Sequence, residues 1–160
     1  HCVHSNEAEQ ELMLKRGVYI AHSPESNMNL ASGVAPVNQF IDRGLHVGLA
    51  TDVAGGSHES MLKAMMHAIQ ASKLRWRLLD QNVKPLSFER AFYLATMGGG
   101  QFFGKVGTFL DGYELDAVVL DDESLEHPQP FSPRARLERM VYLADERNIC
   151  AKFVSGRKIL

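Results

Sequence analysis

The sequence predicts an α/β fold built on parallel strands, and three observations support that expectation. Two short apolar segments, Val18-Tyr19-Ile20-Ala21 and His46-Val47-Gly48-Leu49-Ala50, have the length and composition of buried strands. Between them runs a helical pattern with Pro36 in its first turn, Val37, Phe40 and Ile41 as its apolar members, and Gly44 as its stop. Strand, helix and strand in that order make a βαβ unit, whose two strands run parallel.

The remaining elements follow along the chain. Asn6 and Glu9 have capping-box spacing, so a helix starts there, with Leu12 and Met13 among its apolar residues and Gly17 ending it. The segment His22-Ser23-Pro24-Glu25-Ser26-Asn27 is dense in turn formers and reads as a loop. Residues 60–79 form a long helical pattern carrying Met61, Leu62, Met65, Met66, Ile69, Leu74, Leu78 and Leu79. Ser87 caps another helix with Phe88, Ala91, Phe92, Leu94 and Ala95, and Gly98-Gly99-Gly100 ends or bends it. Residues 106–109 and 117–120 read as strands around an Asp111-Gly112 turn. Residues 123–133 are proline-rich loop, and Ser155-Gly156-Arg157 turns a terminal hairpin.

Composition excludes several classes. At 160 residues, 45% hydrophobic and 22% charged, the chain has one domain's length and a globular composition. A net charge of −2 argues against nucleic acid held by bulk charge. No apolar run approaches the ~20 residues of a membrane span, so no membrane partner is expected. The two cysteines, Cys2 and Cys150, have no metal or redox spacing and fit a reduced, cytoplasmic setting.

Three residues stand where parallel strands end: His1, His22 and Asp52. A carboxylate and imidazoles meeting there suit a divalent metal and proton transfer. The competing reading is structural, since an Asp after a strand often caps a helix and a strand-end His often bonds a carbonyl. His58 follows Gly55-Gly56-Ser57 and is within reach of the same face; His4 lines a pocket or faces solvent. His67 sits among methionines and reads as packed or half-exposed, and His46 and His127 as structural or solvated. GxGxxG, GxSxG, and the H-x-E with P-C-x-x-C of nucleic-acid deaminases do not occur.

Gly48-Leu49-Ala50-Thr51-Asp52 resembles the last barrel strand of the amidohydrolase superfamily. His1-Cys2-Val3-His4 resembles the strand-end histidine segment two strands earlier, and Ile20-Ala21-His22-Ser23-Pro24-Glu25-Ser26-Asn27 the penultimate strand and its loop. Ala95-Thr96-Met97-Gly98-Gly99-Gly100, then Val106-Gly107-Thr108-Phe109 and Leu115-Asp116-Ala117-Val118-Val119-Leu120, resemble the approach to a small β-domain. Within the superfamily, Thr51-Asp52-Val53-Ala54-Gly55-Gly56, Ser26-Asn27-Met28-Asn29-Leu30-Ala31-Ser32-Gly33 and Tyr142-Leu143-Ala144-Asp145-Glu146-Arg147-Asn148-Ile149 are similar to the guanine deaminase branch.

The resemblance implies the C-terminal part of a metal-dependent hydrolase TIM (β/α)8 barrel plus part of a small β-sandwich. Residues 1–104 then hold the last barrel strands and helices, and 105–160 contribute to the β-domain, with a helix or loop near 133–148. A whole barrel takes ~250 residues, so the earlier strands, with a His-x-His pair, a further ligand histidine and a glutamate, are expected before His1. The implied chemistry is hydrolysis of guanine to xanthine and ammonia by a water activated on zinc, alternatively iron. By resemblance Asp52 ligates the metal and takes the proton, His1 hydrogen-bonds the attacking oxygen, and His4, His22 and His58 are pocket candidates. A homodimer is implied for the full-length form, and no stoichiometric metal for this chain alone. Two further readings stand beside this one: another amidohydrolase, deaminating an aminopurine or triazine or acting as a chlorohydrolase, and a non-catalytic fragment needing its other half.

Overall fold

A computed structural model of the chain describes residues 1–125 and 127–160. The first helix, α1 (Glu7–Arg16), opens on the reciprocal cap the spacing predicts. Asn6 Oδ1 accepts from the Glu9 N–H at 3.0 Å, and Glu9 Oε2 accepts from the Asn6 N–H at 2.8 Å. Gly17 closes the helix at φ 63°. The expected apolar face is only half present, because Leu12 is 55% exposed. The inward face holds Gln10 and Met13, three residues apart and so neighbours on the helix surface. Gln10 is tolerated there because its Nε2 donates to the Ser5 carbonyl at 2.9 Å.

Strands β1 (Tyr19–His22) and β2 (His46–Leu49) pair in parallel, with Tyr19 opposite His46 and His22 opposite Leu49. The crossover contains two short helices. α3 (Val37–Asp42) follows Pro36 as expected and drives Val37 and Phe40 into the core, which they share with Ile20 and Val47. The other corrects the sequence reading: residues 22–27 are not all loop, because α2 (Pro24–Asn29) starts two residues after β1. Proline's fixed φ suits the first helical turn, and Glu25 there complements the helix dipole, so turn-forming residues also start a helix.

Helix α4 (Met61–Leu78) is capped by Ser60, whose Oγ accepts from the Lys63 N–H at 3.4 Å. It buries Ala64, Met65, Ala68, Ile69, Ala71 and Ser72. Ser72 Oγ receives the Leu86 N–H at 2.8 Å, which ties the next segment to the helix. Ser87 then caps α5 (Phe88–Tyr93), and the chain continues into a π-helical turn, Leu94–Gly98, that leans on β2.

The strand expected at residues 106–109 does not form. Gly107 takes φ 87°, and a Cβ on it would stand 2.6 Å from the Thr96 carbonyl oxygen. The backbone turns left-handed to pack on the π-helical turn, which an extended chain cannot do. β3 (Ala117–Leu120) does form. It pairs antiparallel with β4 (Ile149–Val154), which hairpins into β5 (Arg157–Lys158) through Ser155 at φ 48° and Gly156 at φ 76°. In the proline-rich stretch, residues 123–125 make a short 3-10 turn, Glu126 lies outside the described residues, and Pro133 is the first residue of α6 (Pro133–Leu143). α6 packs against α4, and β3-β4-β5 form a sheet separate from the parallel pair. No helix among the described residues is long and apolar enough to cross a membrane.

Candidate active site

The parallel pair delivers its residues to one edge. His22 ends β1, its carbonyl accepts from the Ala50 N–H at 2.9 Å, and the chain leaving β2 reaches Asp52 three residues after Leu49. Asp52 sits in the left-handed region at φ 54°, which Asp tolerates better than most residues. His1 comes to the same place. Its backbone nitrogen donates to the Ala21 carbonyl at 2.7 Å, and its Nε2 stands 3.4 Å from Asp52 Oδ2. Both side chains remain open, at 47% and 42% exposure, so a reactant can approach them.

Two buried residues of α2 hold this pair. Ser26 Oγ donates to Asp52 Oδ2 at 2.6 Å, and Asn27 Oδ1 lies 2.6 Å from His1 Nδ1. Neither Ser26 nor Asn27 was a site candidate in the sequence reading, where both counted as turn formers and as members of motifs that resemble the family. Their contacts span 26 residues of chain, and only the fold brings them about.

The other histidines lie around this centre. His22 is 2% exposed, and neither ring nitrogen has a hydrogen-bond partner. Burial pushes its imidazole down to about 4, so it is neutral at pH 7. His4 is exposed, and its Nε2 lies 2.9 Å from the Ser32 carbonyl oxygen. His58 turns to Glu25, its Nε2 3.9 Å from Oε1, while His67 approaches Oε2 of the same carboxylate at 3.8 Å. The two imidazoles stack with centroids 6.5 Å apart. Burial pushes the Glu25 carboxyl up, but the Ser57 hydroxyl, which donates to it, and the two imidazoles outweigh this and leave it below the usual carboxylate range. Glu25 therefore ties α2, the loop after Asp52 and α4 together, and like Ser26 it was not singled out from sequence.

A carboxylate and an imidazole are donor types that zinc and iron accept. Asp52, fixed by Ser26 and half-open, suits one ligand position. Among the described residues no group of three His, Cys, Asp or Glu is placed to hold a metal, whereas a catalytic zinc site takes about three protein ligands. The donors here fit part of such a site.

A model of the amidohydrolase family matches residues 1–159. The chain belongs to the amidohydrolase family. This amidohydrolase chain is 32% identical to the guanine deaminase of Dictyostelium discoideum, over 99% of its own length and 37% of that protein's. It superposes on a guanine deaminase from C. acetobutylicum, solved with guanine in its active site, with a TM-score of 0.94 and 42% identity, covering 100% of this chain and 38% of the other. It also matches a zinc-bound adenosine deaminase from Xanthomonas campestris, with a TM-score of 0.83, 26% identity and coverage of 100% and 36%. The amidohydrolase chain thus spans little more than a third of the length of these relatives.

Proposed function

We propose that this chain supplies the Asp52–His1 part of an active site that hydrolyses guanine to xanthine and ammonia. The observation that carries the proposal is the 3.4 Å approach of His1 Nε2 to Asp52 Oδ2 at the end of two parallel strands. That end of a strand pair is where (β/α)8 barrels place their chemistry. In this reading residues 1–104 are the last strands and helices of such a barrel, and 105–160 belong to a small β-sandwich. The remaining strands come from elsewhere in a longer polypeptide. The likeness to guanine deaminases at 32% and 42% identity supports guanine over other ring amines.

Asp52 is the ligand this chain offers to a zinc or iron ion, and the chemistry such an ion supplies is a water acidic enough to ionise near neutral pH. Asp52 accepts the proton that this water gives up. Nε2 of His1 accepts the O–H of the oxygen as it adds to C2 of guanine and so orients the attack. Ammonia leaves with the transferred protons, and water's oxygen stays on the ring. His22, with two unpaired nitrogens, and His4 and His58 are the pocket candidates. The holoprotein is a cytoplasmic homodimer in this reading.

The test is xanthine formation and metal content in the full-length protein, with adenosine and a chlorotriazine as competing substrates. Guanine is the expected substrate, and Asp52→Asn is expected to lower turnover by at least roughly 10²–10⁴-fold, the scale of a lost general base. Undiminished turnover by Asp52→Asn refutes the assignment, and preference for another substrate refutes guanine.

A further inference from the structure

We propose that Ser26 and Asn27 are a pair of positioning residues that set the working orientation of Asp52 and His1. The proposal rests on the function proposed above. Residues i and i+1 of a helix point about 100° apart, so neighbouring side chains cannot share a target. On α2 that divergence is used. Ser26 reaches the end of β2 and donates to Asp52 Oδ2, while Asn27 reaches His1 Nδ1, both at 2.6 Å. The two residues are 1% and 2% exposed, so water reaches these bonds only from the side of His1 and Asp52.

A third side chain of the same helix closes the arrangement. Asn29 Nδ2 donates to the Gly55 carbonyl at 2.8 Å, drawing the loop after Asp52 down over the Ser26–Asp52 bond. The approach is so close that a Cβ on Gly55 would stand 2.6 Å from Ser26 Oγ and 3.0 Å from Asp52 Oδ2. Only a residue without a side chain fits there. α2 is itself anchored at Glu25 and packed against α4, so it is a rigid mount for both bonds.

Each bond has a chemical consequence. With Asn27 Oδ1 as acceptor, His1 carries a hydrogen on Nδ1, and Nε2 is the nitrogen left to face Asp52 and the incoming oxygen. A hydroxyl on Oδ2 stops the Asp52 carboxylate from rotating and directs one of its lone pairs away from the reacting centre. Such orienting contacts are worth roughly 10–100-fold in activity or metal affinity at comparable sites.

The experiment uses the full-length protein with Ser26→Ala, Asn27→Leu and Asn27→Asp. Asn27→Leu keeps the volume and removes the acceptor; Asn27→Asp restores it. Expected are a kcat for xanthine formation reduced roughly 10–100-fold in Ser26→Ala and Asn27→Leu, a KM changed less than threefold, unchanged melting, and recovery of most of the loss in Asn27→Asp. In parallel, ¹⁵N shifts of the His1 imidazole are expected to show hydrogen on Nδ1 in the wild type and a mixture of tautomers in Asn27→Leu. Wild-type kcat in both variants overturns the proposal, as does a kcat loss that follows the folded fraction alone. If the wild-type protein does not turn over guanine, the substrate reading fails by itself. The imidazole shifts then decide the positioning role, and identical tautomers in the wild type and Asn27→Leu overturn it.

Discussion

Gly48 of β2 lies against Gly99 so closely that a Cβ on Gly48 would stand 2.8 Å from the Gly99 Cα. Gly98 faces the same strand, its own Cβ position only 2.7 Å from the Val47 carbonyl oxygen. The π-helical turn therefore packs backbone to backbone on the strand that carries Asp52. Gly48→Ala is expected to force the two apart and cost about 1–3 kcal/mol, the usual range for overpacking. Urea unfolding of the full-length protein checks this, and an unchanged midpoint would falsify the close packing described here.

The carboxylate of Glu25 holds Ser57, His58 and His67 in one cluster. Glu25→Gln keeps the shape but removes the charge, and a hydrogen bond to a charged group is worth about 1.5–3 kcal/mol. The folded carboxyl lies below its ordinary range, so its contribution is complete above that range and lost as pH falls through the lower folded value. The stability gap between wild type and Glu25→Gln is expected to be widest near neutrality and to close in acid. A gap that stays constant with pH would show that the charge is not responsible.

Caps were legible, because Asn6 with Glu9 and Ser87 with Arg90 act over three residues, within reach of local pattern. So was the parallel pair, whose apolar runs flank a helix started by Pro36. Residues 106–109 misled because their strand-like composition is overridden by the contact of Gly107 with Thr96, a tertiary constraint. Of the site, the placement of Asp52 just past a parallel strand could be read from pattern, whereas His1 precedes the first strand and meets Asp52 only through the fold. The Ser26, Asn27 and Glu25 contacts could not, since short polar residues of a turn-like segment give no sign of a partner 26 or more residues away.

His22 makes stability depend on pH in the opposite structural sense to a salt-bridged histidine. Its folded value of about 4 lies below the unfolded value near 6.5, so the unfolded chain takes up the proton first. Stability from this residue is whole above pH 6.5 and falls as pH drops toward 4, by roughly 2 kcal/mol between pH 7 and pH 5. Unfolding midpoints of wild type and His22→Gln at those two pH values test it. The drop is expected to shrink by that amount in the variant, and an equal drop in both assigns the acid sensitivity elsewhere.

Large apolar side chains stand in the open: Phe103 and Phe109 are 80% exposed and Leu78 is 73% exposed. Soluble proteins rarely leave such surfaces and bare strand edges uncovered. Prepared alone, the 160-residue chain is expected to sediment well above its 17.8 kDa monomer mass and to retain less than one zinc per chain after dialysis. A stable monomer, or one tightly held zinc, contradicts the view that strands from elsewhere complete this fold.

The left-handed backbone of Asp52 has a consequence for anyone probing the position. Charge and backbone make separate demands on one residue: a carboxylate to react, and a side chain short enough to accept φ 54°. Asparagine meets the second demand and not the first; glutamate keeps the charge but sits poorly in that conformation. A series of replacements ranked by charge alone would therefore mislead. The pair to compare is Asp52→Asn and Asp52→Glu, with melting temperature measured beside turnover. The first is expected to lose turnover at near-native stability, and the second to lose both.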